Sequence, residues 1–179
     1  MQRKRNVLKN LKTYLAGAIE ALSDDGATWR KQIRSMIKDR GIGLHFYDPT
    51  DKNDAYLSEI GDFRQNLRDM KSSHEFAAVS HIMNEVRDWD ISAIMHSHFM
   101  IVYVDPKVPT WGTVEECVRA SDAKKPILAI VEGGVEKTPD WMFTLVKYNE
   151  IFPNAQELVD YLERINKGSL GLDNRWILL

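Results

Sequence analysis

The chain has 179 residues, 44% of them apolar, and 24 basic side chains against 26 acidic ones leave a formal charge of −2. This length suffices for one domain with a real core and is short for two, and the near-balanced charge excludes bulk attraction to nucleic acid or to an anionic membrane. With Cys117 as the only cysteine, an internal disulfide and a cysteine-based zinc site are excluded as well, which fits a protein of the reducing cytoplasm.

Residues 1–12 carry five basic residues, but no apolar run of signal-peptide length follows them. The arm reads as a solvated terminus or as a contact for phosphates, and no role is assigned to it. Beyond it, short β-rich runs alternate with segments of helical period, the mark of a parallel sheet with crossover helices. Residues 13–17 read as a first strand, and Trp29, Ile33, Met36 and Ile37 give an amphipathic helix over 27–40. Gly41 and Gly43 stop that helix, and 44–47 form a second strand ending in the Asp48-Pro49 turn. Residues 50–75 are a polar insertion, either helical, from the spacing of Tyr56, Ile60, Phe63 and Leu67, or a lid.

Helical spacing holds over 76–94, and 99–104 reads as a central strand buried on both faces. A helix over 112–124, a strand over 126–131, a turn at Gly133-Gly134, a short helix over 141–147 and a strand over 150–152 follow. Asn154 caps a last helix over 155–166, and 167–179 form a tail whose Trp176 docks on its own domain or on a neighbour. The sum is a single α/β domain: a doubly wound, flavodoxin-like parallel sheet of five strands with helices on both faces.

In such a sheet ligands bind at the carboxyl ends of the strands, here 14–20, 47–49, 105–116 and 132–140. The most informative of these segments is Asp105-Pro106 followed by Pro109-Thr110-Trp111-Gly112-Thr113-Val114-Glu115-Glu116. It is expected to place a carboxylate in a first helical turn, where free N–H groups and the macrodipole favour the ionised form a nucleophile needs. Acidic residues there also serve simply as good helix starts.

Tyr14-Leu15-Ala16-Gly17, Asp90-Ile91-Ser92-Ala93-Ile94 and Gly112-Thr113-x-x-Glu116 follow one another in a characteristic order and spacing. Over roughly 13–145 the chain thereby resembles the nucleoside 2-deoxyribosyltransferases and their relatives that hydrolyse deoxynucleotides. The resemblance implies Glu116 as nucleophile, because it stands four after Gly112, and leaves Glu115 as a solvated or salt-bridged neighbour. It implies that Tyr14 donates a hydrogen bond to that glutamate and that Asp90, with Asp88 as a solvent-facing competitor, acts at the nucleobase and in proton transfer. Gly17 and Gly112 count with the substrate-binding residues; Thr110 falls where relatives bind a 5′-phosphate, and Asp140 and Met142 where transferases reach into a neighbouring subunit's site. Such roles cohere chemically. An N-glycosidic bond breaks through an oxocarbenium-like state, which one carboxylate stabilises and traps while a carboxyl of raised pKa protonates the leaving base.

The chain departs from the pattern at His98, where many members have an aspartate that reads the base. This histidine either alters base recognition or is a strand-start residue satisfied by backbone. Glu20 is placed to bind a sugar hydroxyl or a base amino group, and Arg30 meets a phosphate or is a surface charge beside Trp29. No metal and no cofactor is expected, since His96-x-His98 offers only two imidazoles. The expected ligands are a nucleoside or nucleotide and a nucleobase, with no membrane or nucleic-acid partner, in a homo-oligomer implied by the resemblance. Three functions remain open: deoxyribosyl transfer between bases, hydrolysis of the same bond, and nucleotide binding without catalysis.

Overall fold

A strand that is apolar along its length must be covered on both faces, and the runs at 99–104 and 127–131 have that character. The computed structural model describes residues 6–52, 59–108 and 110–176, so Tyr56, Pro109 and the last three residues of the tail lie outside the described residues. Its strands are β1 (Lys12–Gly17), β2 (His45–Tyr47), β3 (Phe99–Val104), β4 (Ile127–Val131) and β5 (Ile151–Phe152). They pair in parallel in the order β2-β1-β3-β4-β5, which is the flavodoxin-like winding. The helices are α1 (Ala27–Asp39), α2 (Asp62–Ser72), α3 (Phe76–His96), α4 (Trp111–Asp122) and α5 (Ala155–Asn166).

Strand alternation sorts the core into two halves. Leu15, Phe99, Ile101, Leu128 and Ile130 point toward α1 and α5, where Trp29, Ile33, Ile37, Leu158 and Leu162 cover them. Tyr14, Ala16, Met100, Val102 and Ala129 point the other way, toward Ala93 and Ile94 of α3 and Cys117 and Ala120 of α4. The chain thus leaves β1 toward one face and β3 toward the other, which opens a crevice between their carboxyl ends.

Local signals set the helix ends. The Asn154 side chain accepts from Glu157 N at 3.0 Å and starts α5. The insertion is helical over Asp62–Ser72, but α2 has no buried residue and packs on the outside of α3. The segment expected as a helix over 141–147 is instead a 3-10 turn over Asp140–Thr144, a tighter coil that carries Met142 into the core between sheet and α4. The described part of the basic arm is not a solvated fringe: Leu8 and Leu11 are 0% and 1% exposed, and Val7 N donates to Asn166 O at 3.2 Å. Apolar side chains at 8 and 11 outweigh the flanking charges. Trp176 docks on its own domain, 5.2 Å between ring centroids from Phe99. Among the described residues no helix is long and apolar enough to cross a membrane.

Candidate active site

Tyr14 is an inward residue of β1 and is fully buried, so its hydroxyl needs a partner. It finds one 102 positions away, donating to Glu116 Oε1 at 2.6 Å. Glu116 is half-buried on α4, beside the inward Thr113 and Cys117. It does not occupy the first turn: α4 begins at Trp111 and its first turn holds no acidic residue. The dipole therefore falls off before reaching it. Burial, then the Asp90 carboxyl, push Glu116 up to about 8, against the lowering effect of the Tyr14 hydrogen bond. Burial and the same two carboxyls hold the Tyr14 hydroxyl well above its ordinary value, which keeps it a donor.

Asp90 is a buried residue of α3. Burial and Glu59 push it up to about 7, while Lys52 opposes them. Lys52 Nζ lies 3.0 Å from Glu59 Oε1 and 3.2 Å from Asp90 Oδ1, and 4.7 Å from the centre of the Trp89 ring. Neither Lys52 nor Glu59 announces itself in the sequence, since both belong to the polar insertion and only tertiary packing brings them under α3. A cavity of about 300 Å³ is lined by Glu59, Asn84, Arg87, Asp90, Glu115 and Glu116. A second, also about 300 Å³, shares Glu59 and Met83 with it and runs along α2 past Phe63 and Arg68. Two carboxyls of raised pKa at the wall of a cavity can divide the work of nucleophile and proton donor. Burial raises both carboxyls, and the Tyr14 hydrogen bond favours the carboxylate form of Glu116 while Lys52 favours that of Asp90.

The other residues singled out in the sequence divide sharply. Glu115 is the salt-bridged neighbour, with Arg87 Nε at 2.9 Å and Arg119 Nη2 at 3.3 Å. Glu20 is exposed, lines the second cavity and stands 3.9 Å from Lys71 Nζ. Thr110 precedes α4 and its side chain makes no capping hydrogen bond; a Cβ on Gly112 would meet nothing within 4 Å, so packing within the chain does not account for that glycine. Gly17, by contrast, has φ +152°, and a Cβ there would come within 2.9 Å of Trp29 Cζ2 and 3.0 Å of Tyr103 O. Packing between α1 and β3 explains it.

Four expectations change. His98 stands at the amino end of β3, opposite the carboxyl-end crevice, and its Nδ1 accepts from Lys12 N at 3.0 Å. It is the strand-start histidine satisfied by backbone. Met142 is 8% exposed inside its own core, so it is not available to a neighbour; Asp140 and Trp141 beside it are exposed. Arg30 is neither a phosphate ligand nor a surface charge. It is 1% exposed, donates to Gly17 O and Gly26 O, both at 3.0 Å, and lies 3.4 Å from Asp48 Oδ1. Glu116 in the second turn is the fourth. Among the described residues no group of three or more His, Cys, Asp or Glu could hold a metal, and burial pushes the Cys117 thiol far up.

No family model matches the chain, and no curated protein matches it. Among solved structures it is similar to a crystal structure of a conserved protein from Enterococcus faecalis, with 14% identity, 90% of this chain and 99% of that one covered, and a TM-score of 0.47. A likeness of that degree carries no argument about the site.

Proposed function

We propose that the protein cleaves the N-glycosidic bond of a 2′-deoxynucleoside or deoxynucleotide through a covalent intermediate on Glu116, then passes the deoxyribosyl group to another base. The observation that carries the reading is the 2.6 Å hydrogen bond from Tyr14 to Glu116 beside the buried Asp90. In the first half a Glu116 oxygen bonds to the anomeric carbon while the carbon–nitrogen bond breaks; its electron pair goes to the base, which takes the Asp90 proton. In the second half the acceptor's nitrogen attacks the same carbon, its proton returns to Asp90, and Glu116 leaves as carboxylate. Two inversions retain configuration. Tyr14 stabilises the carboxylate form of Glu116 at both ends of the cycle. Water in place of the second base turns the same steps into hydrolysis.

Incubating the protein with a deoxynucleoside or its monophosphate, with and without a second free base, tests the reading by product chromatography. A new nucleoside is the expected product; free base alone assigns the hydrolysis. Retained ligand binding without turnover would sink the catalytic reading in favour of a binding protein. The reading carries self-association with it, which light scattering checks.

A further inference from the structure

The cycle proposed above asks Asp90 to give a proton in one half and recover one in the other, and the present inference rests on that reading. A group with both tasks works best with a pKa near the working pH. Burial alone drives a carboxyl away from that condition, toward permanent protonation.

The surroundings of Asp90 contain a device that acts on this. Its carboxyl, on α3, faces Tyr14 of β1, Glu116 of α4, and Lys52 and Glu59 from the connection between β2 and α2. Farther out stand Arg30 with Asp48 and, on the cavity rim, Arg87 with Glu115. The Lys52 side chain is 0% exposed. An ammonium so placed needs compensation, and a buried ion pair is weakly justified by stability alone. Among the described residues Lys52 Nζ meets two carboxyls, Glu59 Oε1 at 3.0 Å and Asp90 Oδ1 at 3.2 Å, and lies 4.7 Å from the centre of the Trp89 ring. Glu59 and Lys52 act on Asp90 in opposite senses, the anion favouring the acid form and the cation the base form.

We propose that Lys52, anchored by Glu59, is a positioning residue that keeps Asp90 able to exchange its proton in both halves of the reaction. The proton that moves travels between Asp90 and the base or acceptor. Loss of the cation raises the proton affinity of Asp90, so it becomes a weaker donor to the first leaving base, while its carboxylate, once formed, accepts a proton readily. Formation of the glycosyl-enzyme is then the half that slows. Loss of the Glu59 charge does the opposite, since Lys52 then favours the Asp90 carboxylate unopposed.

Three variants of the full chain, Lys52→Met, Lys52→Arg and Glu59→Gln, test this with two readouts. The first is the Asp90 titration by ¹³C-carboxyl NMR, assigned with Asp90→Asn; the second is the pre-steady-state burst and the pH profile of kcat. In Lys52→Met the Asp90 midpoint rises by about 1–3 pH units; the burst of released base slows, and kcat near neutral pH falls by about tenfold or more. Glu59→Gln moves the midpoint to lower pH, and Lys52→Arg, which keeps the cation, restores it toward wild type. An unmoved midpoint in folded Lys52→Met, or a shift of the same sign in Glu59→Gln, overturns the proposal. If Lys52→Met does not fold, the sign of the Glu59→Gln shift and the Lys52→Arg profile decide. A wild-type protein without turnover would sink the glycosidic cycle and with it the catalytic use of Lys52, whereas unmoved NMR midpoints in an active enzyme sink only the role of Lys52.

Discussion

Glu150 and Glu116 are both carboxyls that burial pushes up, yet their surroundings answer that penalty in opposite ways. Glu150 meets a cation, Arg175 Nη2 at 2.6 Å, and the same guanidinium holds Asp173 below the usual carboxylate range. Glu116 meets a neutral hydroxyl and, beyond it, a second carboxyl. A cation in contact turns burial into a clasp: charge is cancelled and the C-terminal tail is fastened to the 3-10 turn before β5. A like-charged neighbour turns burial into a store for a proton.

Replacing each residue in turn breaks or sharpens this contrast. Glu116→Ala should lower turnover by at least about ten-thousandfold. Its thermal midpoint by circular dichroism should hold or rise, because a carboxyl kept against its preference is removed; wild-type rates in a folded variant would dismiss the nucleophile. Arg175→Ala should do the converse. Leaving Glu150 buried and unpaired costs about 3 kcal/mol, read by urea denaturation as lost stability and by heating as a midpoint lower by roughly 6–12 °C, with kcat unchanged. Tyr14→Phe removes one charge-assisted hydrogen bond and should lower kcat by about ten- to a hundredfold without changing the products.

The fourth effect is smaller and lies in the pH dependence of stability. Glu116 moves from 4.5 to about 8 and Asp90 from 3.8 to about 7 on folding, so the folded state binds their protons more tightly than the unfolded chain does. Their contribution is complete below about pH 4 and is lost as pH rises through about 7–8. Denaturation midpoints of wild type should fall over that window, and Glu116→Gln should flatten the slope; an unchanged slope counts against the stored proton. Smallest of all, Glu115→Gln removes only the exposed pairs with Arg87 and Arg119 and should leave stability within about 0.5 kcal/mol and kcat within about twofold. A large loss there would mean that the two adjacent glutamates have been assigned the wrong way round.

Much of the fold is legible in the sequence because its signals are local. The unbroken apolar run gives β3 its bounds at Phe99 and Val104, and Asn154 with the periodic stripe after it gives α5 its start. The pairing of Tyr14 with Glu116 was open to sequence reading only through the resemblance, since 102 positions separate them. Where the reading fails, a side chain's environment is decided by what lands on it later. Arg30 looks like a surface charge until Gly17 O and Asp48 close over it; Met142 looks like part of a reaching loop until a 3-10 turn swings it inward. Lys52 and Glu59 belong to a polar stretch with only weak apolar spacing, and nothing short of their contacts around Asp90 distinguishes them from solvated charges.

The amide of Leu8 donates to Asn166 Oδ1 across 158 positions. Contacts so far apart along the chain carry the full entropy of closing a long loop and form late in folding. The half of the core that holds Leu8, Ile33 and Ile37 stays uncovered until α5 has been synthesised. On the opposite face β3, α4 and β4 are contiguous between Phe99 and Val131 and need no such wait. During vectorial synthesis the segments that carry Tyr14 and Glu116 are thus made before the one that supplies Asn166 to Leu8.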